Sequence, residues 1–583
     1  MKKLLLAGSL LISFGLAQTN AQEARKAVLN EDGTISTTVI DAPQLPQNNE
    51  NRQPPSELFS LDWPANPAVK NSRGTTLADL DGDGIQEIIY GADTELLAIK
   101  GDGTILWQKT VEGPILLPPT VVDLDGDNVP EVIVNTGYPT TVGRIYVTDN
   151  VGNDLAGWPL NFDDDWMINA PVVVDLDEDG NLDIITCRRA GSTEGYVHAL
   201  KLDGTPINSG WPVQLNATPA FTPSIGDIDD DGLNDVVIAT SSTGMYAFNS
   251  NGELLSGFPL VDSGVRYSYQ SPTLVDLDGD ETLEIVGANH GDSPGFYVLN
   301  HDATYESGWP IATSGWTYST PTVVDSDSDG NYELFMADRN TSNDGSDLPT
   351  LFGFNADGTA LPNFPISKYG GNEGVITIAD INNDGVFEVI FGSVITDMSG
   401  VGYIHAYSMD GSGEVAGFPL RPQGFTFLNG AVIGDVDGDG MMDLTANSVN
   451  LNTGMDNTYI TVYNLDVPYN EDKILRNGYK GSNSRQGLLM AEPTAGVDEF
   501  DKNAALTISP NPSEGLLRVS VPIHMETALL NISSIDGKSI FSAEISLEKN
   551  NPYELRTDAI RSGLYIVTIS GNHRTFTAKW VVK

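Results

Sequence analysis

Residues 79–87, DLDGDGIQE, place four carboxylates at positions 1, 3, 5 and 9 of a short loop, and the pattern D-x-D-x-D-G-x-x-[DE] returns seven more times. The sets are Asp79, Asp81, Asp83 and Glu87; Asp123, Asp125, Asp127 and Glu131; Asp175, Asp177, Asp179 and Asp183; and Asp227, Asp229, Asp231 and Asp235. They continue with Asp276, Asp278, Asp280 and Glu284; Asp325, Asp327, Asp329 and Glu333; Asp380, Asn382, Asp384 and Glu388; and Asp435, Asp437, Asp439 and Asp443. Alone, such charges repel one another; folded round a cation, their oxygens make a shell. Side chains at positions 1, 3, 5 and 9 with a carbonyl at 7 suit calcium, which takes about six to eight hard oxygen ligands, better than magnesium or zinc. Up to eight Ca²⁺ ions are expected. One shell copied into every repeat points to a scaffold, since a catalytic metal keeps an open position and acid-base partners. Glycine at position 6 permits a positive φ. Asn128 tolerates that conformation, Glu281 does so at greater cost, and Asn382 removes a charge, so the fifth and seventh loops are expected to bind most weakly.

Each loop must be held between strands. The loops start 44 to 55 residues apart, the length of one small antiparallel sheet. An apolar strand precedes each loop ("APVVVDLD") and another follows ("LDIITC"). A third ends in an Asp-Gly type turn ("GYVHALKLDGT"), and a fourth carries GWP or GFP, at Trp158, Trp211, Phe258, Trp309, Phe364 and Phe418. Four strands per repeat without helical periodicity predict an all-β, calcium-binding β-propeller, with eight blades favoured and seven plus an irregular unit as the alternative. The eighth repeat lacks a fourth strand, whereas an orphan containing Trp63 and Pro64 stands before the first. That strand is expected to complete the last blade and remove its exposed edge.

Asp and Glu outnumber Lys and Arg by 80 to 30, giving a net charge of −50, which argues against nucleic acid and anionic membrane surfaces. Cys187 is the only cysteine, so no internal disulfide forms. Residues 1–21 read as a secretory signal, with a basic pair, a short apolar run and small residues at Ala17 and Ala21. Residues 22–57, rich in Asn, Gln and Pro, are expected to form a flexible lead. The propeller then covers 58–490, a polar linker 491–503, and a small β-sandwich 504–583. No segment beyond the signal is long enough for a transmembrane helix.

The loops and their flanking strands resemble FG-GAP repeats, also called VCBS-like repeats, of the integrin α-chain type. The resemblance implies calcium-loop propeller blades over roughly 58–490. The C-terminal segment resembles the type A sorting domain of the type IX secretion system through SPNPSEG (509–515), IDGKSIFS (535–542), SGLYIVTI (562–569) and the final KWVVK. That implies Sec export to the periplasm, recognition by the type IX machinery, and release or attachment at the outer surface.

Beyond the loops, the chain has no H-E-x-x-H, no G-x-S-x-G and no glycine-rich phosphate cradle after a strand. His198 and His405 hold equivalent repeat positions and read as packing. The connections opposite the calcium loops carry what varies. Residues 120–340 contain six Lys or Arg, of which Arg188, Arg189, Arg266 and Arg339 map to that face. Trp166, Tyr267, Tyr269, Trp316, Tyr318 and His290 gather there too, with Asp292 beside His290. The reading is a face that stacks sugars or clasps an anionic group of a glycan or surface protein. The alternatives are a lyase-like enzyme acting on acidic glycans, with Arg188, Arg266, His290 and Tyr267 as its cluster, and a scaffold with no ligand of its own.

Overall fold

The computed structural model describes residues 22–64, 74–489 and 506–583, excepting 31–34, 43–53, 139–141, 220–221, 241–243, 268–270, 314–316, 318–319, 340–347, 369, 427, 429, 452–455, 514–515, 522–524, 535–537, 548–551, 558–559, 562 and 572–573. The signal, the linker and the sequence candidates Tyr269, Trp316 and Tyr318 lie outside the described residues. The chain is all-β and divides into two compact units, 1–491 and 492–583.

In the first unit each acidic loop joins the first and second strands of its own antiparallel sheet. The second repeat shows the plan: Thr120–Val122, Glu131–Thr136, Val142–Thr148 and Leu160–Asp163 pair in that order. Second strands such as Glu87–Ala92 and Glu131–Thr136 are buried along their whole length. They read as unbroken apolar runs because both sheet faces are covered. The outer strand Ile105–Thr110 instead alternates between exposed and half-buried residues. The GWP and GFP motifs precede the fourth strands rather than lying within them: Trp158 and Pro159 stand just before Leu160–Asp163.

Successive sheets bury their apolar faces against each other. Val121 and Val132 of the second sheet join Ile89 and Leu96 of the first in one core, and the pattern continues sheet by sheet. A further core joins Val432, Ile460 and Val462 of the eighth sheet to Leu77, Ile88 and Leu97 of the first. Trp107, Trp158, Trp211 and Trp309 each donate their indole N–H to a carbonyl in the following repeat, those of Asn150, Leu202, Ser250 and Ala356, at 2.8–2.9 Å. Hydroxyls do the same between first strands: Thr76 bonds Pro119, Thr120 bonds Pro171, Ser224 bonds Pro272, Thr273 bonds Pro321, Thr322 bonds Ile376 and Thr377 bonds Ala431. Each donor lies three residues before an acidic loop, and each accepting carbonyl four residues before the next.

Both ends of this unit pair with its sheets. Ser56–Pro64 pairs antiparallel with Asn457–Pro468 as the outer strand of the eighth sheet, with Trp63 opposite Thr458. After the eighth sheet, residues 471–489 follow the first strands in order. Lys473 carbonyl accepts from the Asp380 N–H, Arg476 pairs with Ile378, and Asn477 makes two bonds to the backbone of Ile433. Asn483, Ser484, Gln486 and Gly487 then accept from the backbone of Val121, Val173, Ile225 and Leu274. Arg485 is fully buried without a carboxylate partner among its bonds, which run to the carbonyls of Tyr479, Ser482 and Pro119 and to Thr76 Oγ1.

Within the lead expected to be flexible across 22–57, two segments are strands instead. Gln22–Leu29 and Ile35–Ala42 form a hairpin, and its first strand pairs with Ile395–Asp397. Ala24, Ala27, Ile35 and Ile40 bury against Val394, Ile395, Tyr403 and Phe425, enough apolar contact to order a stretch whose overall composition reads as polar.

In the second unit, Thr507–Ser509, Leu516–Ser520 and Tyr553–Arg556 form one sheet. Ser539–Leu547, Met525–Ser534, Gly563–Gly571 and Arg574–Val582 form another. Leu517 and Val519 from the first share a core with Leu530, Ile532, Val567 and Trp580 from the second.

Candidate metal centres

All eight loops share one hydrogen-bond plan. The position 9 carboxylate accepts from the backbone N–H at position 2, at 2.7–3.0 Å. The position 1 carboxylate accepts from the N–H at position 6, at 2.8–3.2 Å. The position 5 carboxylate accepts from the N–H at position 7, at 2.7–2.9 Å. Those bonds aim the acidic side chains into the loop. Position 6 has positive φ throughout, including Asn128 at 67° and Glu281 at 78°. Position 4 has it as well, carried by non-glycine residues in Glu178, Asp230, Ser328 and Asn383. The sequence reading missed that second left-handed position because glycine marks it in only half the loops.

Within each of the first five loops, three carboxylates bring one oxygen apiece within 4.8 Å of one another, for example Asp227, Asp229 and Asp235. The position 9 side chain lies at or near the start of the second strand and is buried in every loop but the sixth, where Glu333 is half-buried: Glu87 is 2% exposed and Asp443 0%. Burial first, with neighbouring loop carboxylates adding to it, raises Asp183 to about 6 and Asp235, Glu284 and Asp443 to about 7. Asp177, Asp235, Asp435 and Asp443 each keep a buried carboxylate oxygen with no hydrogen-bond partner. Buried acceptors facing further carboxylates are uncompensated until a cation joins them. The donor set is all oxygen, so the residues fit calcium.

Two loops differ. Lys100 Nζ lies 2.8 Å from Asp81 and 3.9 Å from both Asp83 and Glu87, at the mouth of the first. Lys473 Nζ lies 2.8 Å from Asp380 and bonds Asn383 in the seventh, the loop that also carries Asn382.

The opposite face assembles only in part. Trp166, Arg188 and Arg189 are neighbours, with Trp166 bridged to Arg189 and the Arg189 guanidinium 5.2 Å from the indole. Arg188 is committed to Asp165 at 2.5 Å and stacks on Tyr196 at 4.1 Å. Arg266 is exposed and pairs in register with His290, and Arg339 is half-buried. Tyr267 and His290, read as ligand-face groups, are 0% and 1% exposed, Tyr267 lying in the core between the fourth and fifth sheets. Of the cluster offered for acidic-sugar chemistry, Arg266 and His290 pair in register with Tyr267 next to them in the chain, while Arg188 is engaged with Asp165. His198 and His405 are buried packing residues, as read. Burial pushes the Cys187 thiol far up.

Comparison with known proteins agrees with the loops and the tail. Residues 227–287 match an FG-GAP-like repeat, and residues 507–583 match a secretion system C-terminal sorting domain. The sorting domain makes the chain a secreted or cell-surface protein handled by the type IX machinery. No helix among the described residues is long and apolar enough to cross a membrane. No curated protein matches the chain. Among solved structures, the V. cholerae biofilm matrix protein Bap1 is 13% identical over 76% of this chain and 96% of its own, with a TM-score of 0.36. BBS1N, crystallised with ARL6DN, is 11% identical over 73% and 100%, with a TM-score of 0.38. A protein of unknown function from Bacteroides caccae is 11% identical over 49% and 94%, at 0.28. At such scores these likenesses carry no argument.

Proposed function

We propose that the first unit is an eight-bladed β-propeller stabilised by up to eight calcium ions, which presents a binding face for a glycan or protein outside the cell. Its tail is proposed to be a β-sandwich that delivers it there, after Sec export, by the type IX route. The observation that carries the reading is the eightfold acidic loop, whose position 9 carboxylate is buried in seven of the eight and, at Asp235 and Asp443, keeps an oxygen with no hydrogen-bond partner. The apolar core between the eighth sheet and the first supports a closed ring, and Ser56–Pro64 supports closure by the N-terminal strand. Calcium would be held by positions 1, 3, 5 and 9 of each loop, neutralising their charge and giving the stabilisation that a chain with one cysteine cannot draw from internal disulfides. The test is the calcium content of the purified protein after dialysis at 1 mM free Ca²⁺, read with its binding to glycan and protein arrays. Several ions per chain and a calcium-dependent ligand support the reading; a chain that retains no calcium overturns it.

A further inference from the structure

Where the chain enters the fifth sheet, at that sheet's hairpin end and away from its acidic loop, lies a cleft of ≈ 510 Å³. We propose that this cleft is a subsite for a neutral, hydroxyl-rich saccharide; the assignment rests on the binding-face reading above and names its ligand class.

Three observations carry it. The volume falls in the range of small-molecule sites, about 300–1,000 Å³. The walls are pinned by backbone bonds rather than left to side-chain chance. The N–H groups of Asp292 and Ser293 both donate to the Gly264 carbonyl, at 2.8 and 3.2 Å, and Thr313 N–H donates to Pro294 at 3.0 Å. The polar lining is rich in acceptors. Asp262 is held by the Tyr305 hydroxyl, which donates to one carboxylate oxygen at 2.5 Å and leaves the other to a ligand. Asn289, 2% exposed, lines the cleft with a buried carboxamide oxygen that has no hydrogen-bond partner. Asp292 stands exposed at the rim.

An orphaned buried acceptor costs free energy until a donor reaches it. Asn289 therefore calls for a donor, Asp262 and Asp292 offer further acceptors beside it, and sugar hydroxyls bring several donors on one small frame. Val265, Pro294 and Ile311 supply apolar surface for the C–H face of a ring. The two carboxylates in a chain of net charge −50 disfavour uronic acids and sulfated sugars. That reverses the anionic preference expected for this face from its arginines.

The experiment uses the full chain loaded with calcium. Binding of cellohexaose, mannohexaose and maltohexaose is measured by calorimetry against polygalacturonate and hexalysine. Ala312→Trp, at an exposed lining position, blocks the cleft without touching its polar groups, and Asp262→Asn weakens an acceptor. At least one neutral hexasaccharide is expected to bind, with affinity down tenfold or more in Ala312→Trp and several-fold in Asp262→Asn. Melting temperature and calcium content serve as fold controls. No neutral saccharide bound, equal or tighter binding of polygalacturonate or hexalysine, or binding undiminished in Ala312→Trp each overturns the subsite. A ligand that binds elsewhere and survives Ala312→Trp defeats the subsite while leaving a binding propeller standing; loss of calcium content strikes that broader reading instead.

Discussion

Chelation should weaken the first unit by an amount its loops set. With a dissociation constant of roughly 0.1–1 mM, typical of extracellular calcium modules, and about 1 mM free ion, each site adds about 0.4–1.4 kcal/mol. Eight similar sites would add roughly 3–11 kcal/mol, comparable with the whole stability of an ordinary domain. A body of this length has an unfolding entropy on the order of 0.9 kcal/mol/K, at about 2.1 cal/mol/K per residue. Removing the metal should therefore lower Tm by roughly 4–12 °C. The buried position 9 carboxylates push toward the upper end, since the metal-free state must either hold them charged or protonate them. The assay is scanning calorimetry of the full chain at 1 mM Ca²⁺ and in excess EGTA, with limited proteolysis in parallel. Magnesium at the same concentration should restore little. A Tm that moves by less than about 1 °C on chelation, with proteolysis unchanged, refutes the reasoning.

Other outcomes follow from particular contacts. In a calcium titration followed by mass spectrometry, the seventh loop should fill last, because Asn382 lowers its charge and Lys473 lies on Asp380; Asn382→Asp should bring it forward. Arg485→Ala should destabilise the first unit by about 2–4 kcal/mol in denaturant unfolding, since it strips donors from the Pro119, Tyr479 and Ser482 carbonyls, and Arg485→Lys should recover part of the loss. Deleting Ser56–Pro64 should expose the edge of Asn457–Pro468 and produce oligomers in light scattering. His198 is held near 4 by burial and by Arg188, below its ordinary 6.5. The unfolded chain thus binds the extra proton, and stability due to this group is present above pH 6.5 and lost as pH falls toward 4. His198→Gln should flatten the decline between pH 7 and 5 by about 1–2 kcal/mol, read from denaturation midpoints.

Most of the site was legible because metal ligation needs particular atoms at fixed spacing. Positions 1, 3, 5 and 9 survive in every loop, and even the costly Glu281 adopts the conformation its position demands. The orphan strand around Trp63 was legible for a related reason, since a missing fourth strand in one repeat has to be supplied from elsewhere. Residues 471–489 were not, because a segment that touches each first strand once or twice has no period to read. The hydroxyl three residues before six of the loops was visible in the sequence, but its partner, a backbone carbonyl in the next repeat, leaves no mark on residue type. The partner of an arginine on the opposite face was not legible, because a guanidinium can also neutralise a local acid, as Arg188 does with Asp165.

The stretch from 471 to 489 bears on when the protein becomes itself. A series of sheets whose last member is completed by an early strand, and whose first strands are tied together by a late segment, is unfinished until the whole length has emerged. Up to that moment it is a string of half-covered sheets, held soluble by its acidic turns. Trimming either extremity should therefore cripple all eight repeats together rather than shorten the array by one.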